Sequence, residues 1–129
     1  MNTPVRIPNI APPAANYELA VKVSHASEML FTAGIVGIRP DGSIADDIDG
    51  QAAEMWNSVG EILIASGFAV DDIASYVTYV VGEQPGTVMP ARDRFFGSHR
   101  AASTLVRVLA LARPECKVEV SVVAAKTSG

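Results

Sequence analysis

Cysteine is all but missing from this chain of 129 residues: Cys116 stands alone, so no internal disulfide can form and nothing points to an oxidising compartment. One cysteine and two histidines supply no zinc-ligand spacing, and no metal is expected. Basic residues are scarce as well. Lys and Arg total 10 against 14 Asp and Glu, for a net charge of −4. That balance argues against a nucleic-acid surface, whose affinity comes from cations neutralising phosphates, and against an anionic membrane surface. Long apolar runs are absent too. The longest, residues 29–38, is half of the roughly 20 residues a membrane-spanning helix needs. The N-terminus, MNTPVRIPNIAPPAANYE, has no stretch suited to a signal peptide. There is no G-x-G-x-x-G and no P-loop, so Gly34, Gly37 and Gly42 read as turn residues. A cytoplasmic protein without cofactor, nucleic acid or membrane partner is the expectation.

What is present is core material. Hydrophobic residues make up 49% and charged residues 19%, which suits one folded domain over residues 1–129. Residues 1–15, rich in Pro, Ala and Asn, are expected to be extended or mobile until they dock. YELAVKV (17–23) alternates like a half-buried strand, and MLFTAG (29–34) is expected to pair back on it across a turn at residues 24–28. Arg39-Pro40-Asp41-Gly42-Ser43 supplies turn chemistry. Ile48, Ala52, Met55, Val59, Ile62, Leu63 and Ser66 then recur at steps of three and four, predicting a helix with Asp46, Asp47 and Asp49 at its start and Gly67 at its end.

A strand over 72–81 (DIASYVTYVV) follows, then a shorter helix over 88–98 that turns Met89, Phe95 and Phe96 to the sheet and Arg92, Asp93 and Arg94 mostly to water. STLVRVLALARPECKVEVSVVAA (103–125) reads as two strands joined around Arg113-Pro114-Glu115. The order is ββαβαββ, an α+β fold with two helices on one face of a mixed, six-stranded sheet. Val77, Tyr79, Val81, Val106, Val108, Val118, Val120 and Val122 leave both faces of the late strands rich in apolar groups, more than two helices can cover. Self-association is the simplest cover for the second face.

The closing hairpin, with Arg113-Pro114-Glu115 and Val118-Glu119-Val120, resembles the Rid family (reactive intermediate deaminases, or YjgF-like proteins). Tyr17 stands where that family opens its first strand, and Thr32-Ala33-Gly34 is similar to its T-S-G motif. The resemblance runs from about residue 14 to 125. It implies a chorismate-mutase-like homotrimer with a central barrel and ligand clefts between subunits. It further implies cofactor-free hydrolysis of 2-imino or enamine acids, with an arginine binding the substrate carboxylate.

Carried over by position, the resemblance names Glu119 as the proton-handling catalytic residue. It names Tyr17, Thr32, Ala33, Gly34, Met89, Ser103, Thr104 and Arg107 as candidates for substrate binding. Three positions depart from the pattern: Ala33 lacks a hydroxyl, Met89 stands where an asparagine is common, and Ser103 stands where the arginine belongs. Losing that fork weakens carboxylate binding by about 2–5 kcal/mol. The expected enzyme is therefore a hydrolase or deaminase of a reactive imine, enamine or related intermediate, rather than a standard 2-imino acid deaminase. The other reading is a trimeric small-ligand-binding or chaperone-like protein without turnover.

Several residues have two readings. Arg107, four residues past Ser103, points to the same strand face and either enters the cleft or is a strand-edge arginine, solvated or paired with Glu119 or Glu115. Arg100 is a second substitute for the arginine. Glu119 is either a cleft acid or a surface carboxylate, and Tyr17 either lines the cleft or caps the core. Cys116, beside Lys117, is either a mildly activated thiol or a plain turn residue. Trp56 is expected at a helix or interface edge.

Overall fold

The computed structural model describes residues 2–82 and 84–127. The strands are β1 (Thr3–Pro4), β2 (Val21–Lys22), β3 (Ala26–Phe31), β4 (Ile35–Val36), β5 (Ile73–Val81), β6 (Ala102–Val108) and β7 (Val118–Thr127); the α-helices are α1 (Ile48–Ser66) and α2 (Met89–Phe96). The class is α+β, with a mixed sheet in the order β3-β7-β5-β6 and β4 also paired to β7. All pairs in it are antiparallel except β5 with β6, which α2 connects as a crossover.

Local chemistry explains α1. Asp47 Oδ1 accepts the Gly50 N–H at 2.8 Å, closing the first turn. Gly67 ends the helix at φ 79°, a left-handed conformation that costs glycine nothing. The predicted stripe holds for Ala52, Met55, Val59 and Leu63, while Ser66 is exposed. Gln51 and Trp56 join the buried face instead. Trp56 is core rather than edge, only 3% exposed, stacked on Phe95 and edge-on to Tyr76 and Phe96. Gln51 bonds the far hairpin: its Nε2 donates to the Ala45 and Glu115 carbonyls and its Oε1 accepts the Lys117 N–H.

Alternation decides the two sheet faces. Tyr76, Thr78 and Val80 on β5 and Val118, Val120, Val122 and Ala124 on β7 are buried on the helix side. On the opposite face stand Met29, Phe31, Val77, Tyr79, Val106, Glu119 and Val123, and Phe31 is 68% exposed. The apolar second face expected from the sequence is thus present and uncovered within one chain.

Three further expectations need correction. Residues 29–34 do not pair with 17–23: β3 lies beside β7, which places Leu30 against the core next to Ala124. Only Val21–Lys22 of the first predicted strand is regular, and it pairs with Thr3–Pro4 in a separate sheet. The main sheet therefore has five strands, not six. Alternation marks an extended segment but does not name its partner. The N-terminal segment is docked, and on its own chain: Asn2 Nδ2 donates to the Asp72 and Ala125 carbonyls, and Arg6 binds Glu18 through Nε and Nη2. The third correction is Arg92, which does not face water; it is buried, 6% exposed.

Candidate functional site

Thr32, Ala33 and Gly34 connect β3 to β4 along the middle of β7. The Thr32 hydroxyl accepts the Val122 N–H at 3.0 Å and donates to the Ala33 carbonyl at 2.8 Å, while the Thr32 N–H donates to the Val122 carbonyl. These bonds present Gly34 to the open sheet face. Glu119 comes up from β7 directly beneath: a Cβ on Gly34 would lie well inside van der Waals contact with Glu119 Oε2. Only glycine lets the carboxylate sit there. Tyr79 and Val36 are its register partners on the neighbouring strands. Glu119 is half-buried, and its carboxylate has no hydrogen-bond or ion-pair partner among the described residues.

Ser103 lies elsewhere. In the parallel β5–β6 pair it is opposite Tyr76, so it faces the helices, whereas Glu119 is opposite Tyr79 on the open face. The two are also separated by β5, about 10 Å of sheet. Thr104 is exposed on the open face with Val77. Arg107 returns to the helix side, opposite Val80, and its Nε donates to the Gly82 carbonyl at 2.8 Å. Among the described residues it pairs with neither Glu115 nor Glu119; Glu115 meets Arg113 instead. Arg100 spends Nη1 on the Gly97 and His99 carbonyls, closing the end of α2.

Tyr17 is half-buried beside the N-terminal segment and its hydroxyl accepts the Ala14 N–H at 3.4 Å. It borders a groove of about 450 Å³ with Val5, Ile7, Ile10, Pro12 and Leu19; neither Gly34 nor Glu119 lines it. The adjoining Glu18 is tied to the start of β6 through its N–H to the Ala101 carbonyl. The hydrogen bond from Arg6 holds the Glu18 carboxyl below the usual range, against the opposing effect of burial. Met89 opens α2, half-buried. Cys116 is buried at 1% exposure and burial pushes its thiol up, which rules against the activated reading.

Sequence reasoning missed two members of this region, Tyr76 and Arg92. Arg92 and Phe96 lie one turn apart on α2, and Phe96 stacks on Tyr76 at 4.7 Å. Burial raises the Tyr76 phenol, while Ser103 and Arg92 beside it pull it back. Met89, three residues before Arg92, shares that helix face. An arginine at a position one turn from a core phenylalanine was the available signal.

The chain matches the family model described as endoribonuclease L-PSP over residues 9–126. It belongs to that family. The fold is shared with solved members of the same group. A Rid-family protein from Yersinia pestis, described as of unknown function, aligns with a TM-score of 0.85 at 23% identity, covering 97% of this chain and 98% of its own. E. coli TdcF with bound serine gives 0.73 at 22% identity over 97% and 99%. Rv2704 of Mycobacterium tuberculosis, from the YjgF/YER057c/UK114 family, gives 0.69 at 24% identity over 88% and 89%. No curated protein sequence matches the chain significantly. Among the described residues no helix is long and apolar enough to cross a membrane, and no cluster of His, Cys, Asp and Glu could hold a metal ion.

Proposed function

We propose that this member of the family is a cofactor-free hydrolase of a reactive imine, enamine or related small intermediate, working in a cleft between subunits. The observation that carries the reading is Glu119, an acid without a partner among the described residues, held on the open sheet face beneath Gly34. An imine carbon is already electrophilic, so the protein need only hold the substrate, orient a water and move protons. Glu119 takes a proton from the attacking water as the C–O bond forms and returns it to nitrogen. In the resulting carbinolamine it carries the hydroxyl proton to the amino nitrogen as the C–N bond breaks, leaving a carbonyl product and ammonia. Main-chain groups at Ala33 and Gly34 lie beside the reacting atoms.

The placement of Ser103 and Glu119 supports a cleft shared by two copies. They stand on opposite faces of one sheet, so no small molecule can touch both within a chain. A homotrimer whose open faces enclose a barrel would cover Phe31 and Val106 and bring Glu119 of one copy near Ser103 or Tyr17 of the next. The family's endoribonuclease description is a poorer fit, because the net charge is −4 and no basic patch with interleaved aromatics is present in the sequence.

Ammonia release from freshly generated 2-iminopropionate and 2-iminobutyrate, and from imines without a carboxylate, tests the reading. Wild type should release ammonia from at least one of these, and Glu119→Gln should slow it by about 100-fold or more. Equal rates in the two proteins would remove Glu119 from the mechanism. Ligand-dependent stabilisation with no turnover of any imine would make the chain a binding protein.

A further inference from the structure

A buried guanidinium is costly unless charge and hydrogen bonds compensate it. Arg92 has modest charge compensation: Nε and Nη2 both donate to the same oxygen, Asp93 Oδ1, at 3.2 and 3.1 Å, and its other polar neighbour is the neutral Tyr76 phenol. Asp93 itself is 40% exposed. Nη1 of the planar fork is left uncommitted to that carboxylate. The fork also sits in a defined place. Arg92 shares its helix face with Phe96, Phe96 stacks on Tyr76, and Tyr76 is the register partner of Ser103. Ser103 is half-buried on β6, an edge strand beyond which only the single bridge from Glu18 to Ala102 continues the sheet.

We propose that Arg92 is the anion anchor of this protein, supplied by α2 rather than by the strand, and that it holds the carboxylate of a small ligand over the Ser103 hydroxyl. This deepens the function proposed above and rests on it for the reactive end of the ligand. The serine at position 103 then makes room for an anion reached from the helix side. It donates one neutral hydrogen bond while Arg92 supplies the charge. The other cations are placed and committed differently. Arg107 lies four residues farther along β6, about 13 Å away, and bonds Gly82. Arg100 closes the end of α2 through Nη1 and acts on Glu18. The substrate class is accordingly a carboxylate-bearing imine or enamine, approached in an orientation unlike that of a strand arginine.

Propionate, with propionamide as its uncharged counterpart, is the probe, titrated by calorimetry into the full-length protein. Wild type should prefer propionate by about tenfold or more. Arg92→Gln should erase the preference, while Arg94→Gln on the exposed side of the same helix should keep it. Truncating a buried arginine also lowers stability, so two further variants separate anchoring from packing. Asp93→Asn leaves Arg92 in place, removes its competitor and should tighten propionate severalfold. Arg92→Gln combined with Ser103→Arg should regain the preference whether or not it regains stability. The inference falls if wild type does not discriminate the two probes, if folded Arg92→Gln still does, or if Asp93→Asn weakens propionate. The outcomes also separate from those for the function itself. Imine turnover with an unchanged KM in Arg92→Gln would uphold the hydrolase and overturn the anchor, and propionate binding through Arg92 without any turnover would do the reverse.

Discussion

The Glu119 carboxylate lies against the Cα of Gly34, filling the space a side chain there would need. Gly34→Ala should therefore act through Glu119 and not through the backbone. The displaced group is the end of a flexible side chain, so stability should change by less than about 1 kcal/mol in chemical denaturation. Imine hydrolysis should fall by about tenfold or more. An active Gly34→Ala protein would show that the carboxylate does its work from another position.

Gln51 links α1 to the turn before β7 with all three of its bonds internal, and its residue is only 2% exposed. Gln51→Leu would keep volume but leave the Lys117 N–H and two carbonyls without partners. A loss of about 2–4 kcal/mol in unfolding free energy is expected, read from the urea midpoint at constant slope.

The Arg6–Glu18 pair should make the docked N-terminal segment acid-sensitive. The folded-state value of Glu18 is below its unfolded one, so its contribution is full above the unfolded value near 4.3 and drains away as pH falls through the lowered value. The difference in Tm between wild type and Glu18→Gln should be widest near neutrality and close as the pH falls below the usual carboxylate range. A gap that is constant with pH would mean that the pair contributes nothing through charge.

Cys116 should behave as a core residue. Its thiol, raised by burial and 1% exposed, should resist a disulfide reagent in the native protein near pH 8 and react fully once the chain is unfolded. Rapid native labelling would mean that the turn after Arg113 opens.

The uncovered sheet face predicts its own occupant. Val106→Glu and Phe31→Glu each place a charge on the apolar face, one on either outer strand of the sheet, where both native residues are exposed in the single chain. Sedimentation should show wild type as a trimer and these variants as smaller species that are still folded by circular dichroism. A wild-type monomer would remove the shared cleft.

The parts legible from sequence are those governed by local rules. The stripe of α1 came from a 3.6-residue period with an acidic start and a glycine end, and β5 from its alternating, β-branched composition. The ARPE turn and the lone acid between two valines in β7 were equally plain. Strand partners were not, because alternation is the same whatever lies alongside. That is why 29–34 seemed to belong with 17–23 when Leu30 could be buried only beside Ala124.

Arg92 shows the limit at the level of one side chain. Its charge predicts water, and only the packing of Phe96 on Tyr76 carries that helix face, and the arginine with it, into the interior beside Ser103. The composition and the order of motifs were enough for the class of fold and the family, since those depend on residue type and spacing along one strand or helix. Which face each side chain meets, that Ser103 and Glu119 are back to back, and that Arg92 is the buried cation depend on register and packing between distant segments. Those are settled only when the sheet closes around its core.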